Sequence, residues 1–168
     1  MNKYTIIGVV VIIVVGLFFV GIRSYFDKDD NNEQGIVLPE QVIQALDWAL
    51  DDEYKARATY DAVIKKFGDV RPFSNIREAE EKHINSLIGL YKKYNLDIPK
   101  STWDGNMIAP ESIVRACADG VQAEINNATL YRDKLLPVVT QYTDITKVFE
   151  SLMRASQENH LPAFERCS

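Results

Sequence analysis

Two histidines occur in the chain, and each lies on the apolar stripe of an amphipathic segment with a glutamate or its amide three positions earlier: Glu80-x-x-His83 and Gln157-x-x-His160. Residues three apart share one face of a helix, so a carboxylate and an imidazole at this spacing can grip an ion from one side. Two further glutamates, Glu53 and Glu124, fall on the apolar stripes of two other segments. Carboxylate and imidazole donors suit iron or manganese and also accommodate zinc. A buried carboxylate without a partner costs on the order of several kcal/mol, and a divalent cation removes that cost.

Helical periodicity supplies the elements that must position these groups. Apolar residues recur at Val42, Leu46, Ala49, Ala56, Tyr60, Val63 and Phe67, between Pro39 and the helix-stopping Gly68. A second helix is predicted over 72–94, a third over 110–136 and a fourth over 144–166. In the third, Ile113, Cys117, Gly120, Glu124 and Ala128 form one stripe; in the fourth, Met153, Gln157, His160 and Phe164 do so. No segment alternates with period two over a useful length, so an all-α domain is expected.

Short connections after the first and third helices make antiparallel hairpins, and the long segment 95–109 can traverse a bundle. Glu53 and the Glu80/His83 pair stand at matching distances from the first short turn, and Glu124 and the Gln157/His160 pair from the second. All four polar clusters should therefore meet at one depth. One glutamate from each of two helices plus Glu-x-x-His from each of the other two is the di-iron pattern of ferritin-like bundles.

The run from Ala49 to His83, ALDDEYKARATYDAVIKKFGDVRPFSNIREAEEKH with its leading Ala-Leu and the later ENHLPAF, resembles the uncharacterised ferritin-like family called domain of unknown function 2202. The resemblance covers about 38–164. It implies an antiparallel four-helix bundle with a crossover between helices 2 and 3, and it implies Glu53, Glu80, His83, Glu124 and His160 as metal-site positions. It also implies the superfamily's general chemistry, binding of iron and reaction with oxygen species.

Gln157 stands where a complete site would carry a fourth glutamate. It is expected beside the ligands rather than among them, since an amide is neutral and a poor bridge. Three carboxylates leave two divalent ions with an excess of positive charge, so one or two ions and a degenerate bundle all stay open. Glu150 and Glu158 point away from His160 on a helix and are no substitute. Tyr54 and Tyr60 lie near enough to hydrogen-bond to a centre, although helix packing also explains them.

Cys117 and Cys167 lie equally far from the level of the ligands in antiparallel helices, so a disulfide between them is geometrically open. The net charge of −5 and the lack of a basic cluster argue against a nucleic-acid partner. Residues 4–22 are uncharged and apolar over about 19 positions, the length of a membrane span. The expected organisation is a single-pass anchor at 1–26, a polar tether at 27–37 and the bundle at 38–168, located at the cell membrane with the bundle outside the cytoplasm.

The functional expectation is a membrane-anchored iron protein, with manganese or zinc as other metals, oxidising ferrous iron or reducing peroxide or oxygen. No C-x-x-C pair is present, so redox turnover would need an external electron donor. The alternative is a metal-free or structurally metallated helical adaptor at the cell surface, with the buried glutamates paired to arginines such as Arg57. Haem ligation by the two histidines is disfavoured by the three acidic groups in the same space.

Overall fold

The computed structural model describes residues 36–167, which fall within the compact unit Gln34–Ser168. The proposed anchor at 1–26 and most of the tether lie outside the described residues. Among those described, no helix is long and apolar enough to cross a membrane.

The fold is all-α. Helix α1 spans Glu40–Phe67 and ends at Gly68, whose φ of 89° suits a residue without a Cβ. Helix α2 spans Phe73–Lys93. Helix α3 spans Ile113–Leu130 and begins at Ser112, whose hydroxyl accepts the Arg115 backbone N–H at 3.2 Å. It continues through a π turn, Tyr131–Leu135, into α4, Leu136–Val139. The last rod is α5, Thr143–Ala155, a second π turn, Ser156–His160, and α6, Leu161–Glu165.

Both π turns run into a Leu-Pro pair, Leu136-Pro137 and Leu161-Pro162. Proline has no N–H to give to the preceding turn, and its ring crowds the carbonyl four residues back. The wider turn relieves this: the N–H of Leu136 donates to the Tyr131 carbonyl and that of Leu161 to the Ser156 carbonyl, each five residues away.

Pairs across α1 and α2 run in opposite directions, from Asp47–Tyr91 through Glu53–His83 to Asp61–Arg77. The third and last rods do the same, from Asn127–Ser156 to Cys117–Cys167. The connection after α2 returns along α1, with the Tyr54 hydroxyl donating to the Pro99 carbonyl, Arg57 to Asp104 and Lys66 to the Pro110 carbonyl. It delivers α3 to the far end of α1, so α3 descends antiparallel to α1 and parallel to α2.

Two apolar cores result. One gathers Leu46, Leu50, Leu87, Tyr91, Leu135 and Phe149, the other Tyr60, Phe73, Ile76, Cys117 and Phe164. In the second, the Phe164 ring lies so close to Gly120 that a Cβ there would come within 2.7 Å of it. Between these cores, every rod contributes a buried polar residue.

Candidate metal centre

That polar layer consists of Glu53 from α1, Glu80 from α2, Glu124 from α3 and His160 from the second π turn, each 5 % exposed or less, with His83 from α2 at its edge. Nδ1 of His83 lies 2.8 Å from Glu80 Oε2 and 3.1 Å from Glu53 Oε2. Nδ1 of His160 lies 3.3 Å from Glu80 Oε1 and 3.5 Å from Glu124 Oε2. Two donor triads follow, Glu53/Glu80/His83 and Glu80/Glu124/His160, within each of which the ligand atoms lie inside 4.8 Å of one another. Glu80 belongs to both, one oxygen on each side. The imidazole rings stack at 5.5 Å.

Each outer carboxylate has its second oxygen held by a buried phenol. Tyr60 donates to Glu124 Oε1 at 2.9 Å and Tyr131 to Glu53 Oε1 at 3.1 Å. The second of these, from the residue that opens the first π turn, was not foreseen from sequence. Tyr54 is engaged with the crossover instead, and Arg57 pairs with Glu81 and Asp104 at the surface rather than with the buried carboxylates.

Gln157 does not lie beside the ligands. It is exposed, as are Glu150 and Glu158. In a π turn each residue advances through a smaller angle, so a spacing of three falls short of a full turn and a spacing of four completes it. The inward slot below His160 therefore goes to Ser156, which is 3 % exposed and donates to Asn127 Oδ1 at 2.7 Å. Asn127 in turn donates to Asp52 Oδ2 at 2.7 Å. This chain of hydrogen bonds ties three rods together at the level of the ligands.

The charges in the layer are arranged around Glu80. Burial opposes its ionisation, yet the imidazoles of His160 and His83 on either side of it outweigh burial and hold it below the usual carboxylate range. Burial, reinforced by the Glu80 charge, raises Glu53 well above that range. Burial opposes protonation of both imidazoles, but the flanking carboxylates raise His83 to about 10 and His160 to about 9. Without a metal, protons do the neutralising.

The fit to a metal shows in one atom. Nδ1 of His160 is buried and aligned for a hydrogen bond with no group, although two carboxylate oxygens stand within 3.5 Å. Donors that converge without satisfying one another suit a cation placed among them. The buried Glu/His cluster could hold a metal ion.

Cys117 and Cys167 form a disulfide with Cα atoms 5.7 Å apart, fastening the end of the last rod to α3 beyond His160. The sequence matches no family model and no curated protein. Its fold is similar to the crystal structure of a hypothetical protein, MJ0754, from Methanococcus jannaschii DSM 2661. The TM-score is 0.68 at 26 % identity, over 77 % of this chain and 80 % of that one.

Proposed function

We propose that the domain is a ferritin-like bundle that binds a pair of divalent metal ions, iron foremost, and oxidises ferrous iron or reduces peroxide or oxygen. The observation that carries this reading is the pair of Glu/Glu/His triads sharing Glu80. Glu53 and His83 would hold one ion, Glu124 and His160 the other, and Glu80 would bridge them. The order of the rods, two hairpins joined by one long crossover, is that of ferritin-like bundles. When bound there, a pair of ferrous ions would supply two electrons, which with two protons is what reduction of a peroxide to water requires.

The chain's own groups would serve that chemistry by holding the carboxylates still through Tyr60 and Tyr131 and by keeping the layer between two apolar cores. Manganese and zinc meet the same donor set. An external electron donor would return the ions to the ferrous state, and the apolar run at 4–22 would hold the domain at the membrane.

Anaerobic titration of the full chain with ferrous iron, followed by admission of oxygen or peroxide, tests this. Two ions per chain and a new near-ultraviolet absorbance on oxidation are expected. A chain that binds no metal would instead be a structural helical module.

A further inference from the structure

The metal layer opens on two sides of different chemistry. Between α1 and α3 lies a cavity of about 270 Å³ whose floor is Glu80, Glu124 and Tyr60 and whose wall includes Asp52. Small residues, Ala56 and Ala123, line it where the two rods would otherwise close over the ligands. Between α2 and the last rod lies a second cavity of about 410 Å³, which reaches His83 and His160 past Ile76, Ala79 and Ala155. No carboxylate lines that second cavity.

We propose that hydrated divalent cations reach the centre through the α1/α3 cleft, with Asp52 handing them from solvent to Glu80 and Glu124. The proposal rests on the reading of the polar layer as a metal centre. Asp52 is well placed for the task. It neighbours Glu53 on α1, lines the cleft, and has Oδ2 fixed by the Asn127 amide, which itself lines the cleft beside Asn126. Carboxylate oxygens met in sequence, Asp52 and then Glu80 and Glu124, replace the water around a cation in steps, which lowers the cost of dehydrating it.

The charge of the wall agrees. Its basic member, Lys55, has its ammonium 5.4 Å from the centre of the Trp103 ring, on the side of the crossover. Of the two carboxylates on the wall, Asp119 is exposed and paired with Arg115 at 2.9 Å, and Asp52 is the more buried, nearer the floor. At the floor of the cleft, Glu80 Oε1 and Glu124 Oε2 face Nδ1 of His160, buried and aligned with no partner, at 3.3 and 3.5 Å.

Anaerobic stopped-flow mixing of the full chain with cobalt(II), followed by its visible absorbance, separates the route from the site. Asp52→Asn should slow loading by about tenfold or more, the scale of electrostatic steering into a charged cleft, without changing the final number of ions. Ala123→Phe, at an exposed position on the rim, should slow it similarly. Asn75→Phe, on the exposed rim of the histidine-side cavity, should load at the unmodified rate. Circular dichroism checks that each variant is folded. Unslowed loading in both cleft variants, or equal slowing by Asn75→Phe, would overturn the route alone. No cobalt binding by the unmodified chain would overturn both the route and the metal reading.

Discussion

Glu80 Oε1 lies 3.3 Å from His160 Nδ1 while its other oxygen lies 2.8 Å from His83. A single side chain on α2 thus joins the two hairpins at the level of the ligands. Glu80→Gln keeps the shape and removes the charge that both histidines face. Both triads lose their shared member, so metal binding should weaken by at least about 100-fold, beyond the loss typical of groups behind a ligand. Glu53→Gln should spare the triad of Glu80, Glu124 and His160. Calorimetric titration with manganese or cobalt reads the contrast, and equal residual binding in the two variants would contradict a bridging role for Glu80.

The π turn beneath His160 makes a counterintuitive prediction. Gln157→Glu restores the Glu-x-x-His spelling, yet position 157 is exposed, so stoichiometry and affinity should not change and stability should move by less than about 0.5 kcal/mol. Ser156→Ala removes the donor to Asn127 Oδ1 and frees the turn that carries His160. It should weaken metal binding by roughly 10-fold or more. A gain of affinity in Gln157→Glu would mean that the last rod is an uninterrupted α-helix.

The contrast between positions 156 and 157 also shows what the sequence could and could not convey. Apolar periodicity located four rods, and distance from the turns placed Glu53, Glu80, His83, Glu124 and His160 at one level, because both signals repeat over many residues. A π turn displaces a helix face by about one residue, which periodicity is too coarse to register. The Leu-Pro pairs at 136–137 and 161–162 were its visible trace. Tyr131 was missed for a different reason: its partner Glu53 lies on another rod, and nothing near Tyr131 in sequence marks it as more than core. Asp52 was overlooked because it stands on the flank of the α1 stripe, where the line between buried and exposed depends on how closely α3 approaches.

The two phenols give a third expectation. Tyr60→Phe leaves Glu124 Oε1 without its donor, and Tyr131→Phe does the same to Glu53 Oε1. A buried acceptor stripped of its partner costs about 1–3 kcal/mol. That loss should appear in urea denaturation of the metal-free chain and shrink when metal is present, because the bound cation supplies the carboxylate with a new partner. A loss of the same size with and without metal would show that the phenols serve packing alone.

Removing the metal should leave a stability that declines as pH rises. His83 and His160 are raised to about 10 and about 9 by their carboxylate partners, against an unfolded value near 6.5. The native state therefore binds more protons than the unfolded state between roughly pH 6.5 and 9 to 10, and ΔG of unfolding falls with pH across that window. The contribution is complete below about pH 6.5 and gone above the folded values. Glu53, raised by burial, acts with the same sign from the acid side; Glu80, held low, loses its contribution only in stronger acid. A bound divalent cation takes the place of those protons, so metal affinity should rise with pH over the range in which the metal-free chain weakens. Urea midpoints at pH 6, 7.5 and 9, with and without cobalt, should diverge steadily, and a metal-free midpoint that climbed with pH would show that the two imidazoles are neutral in the folded chain.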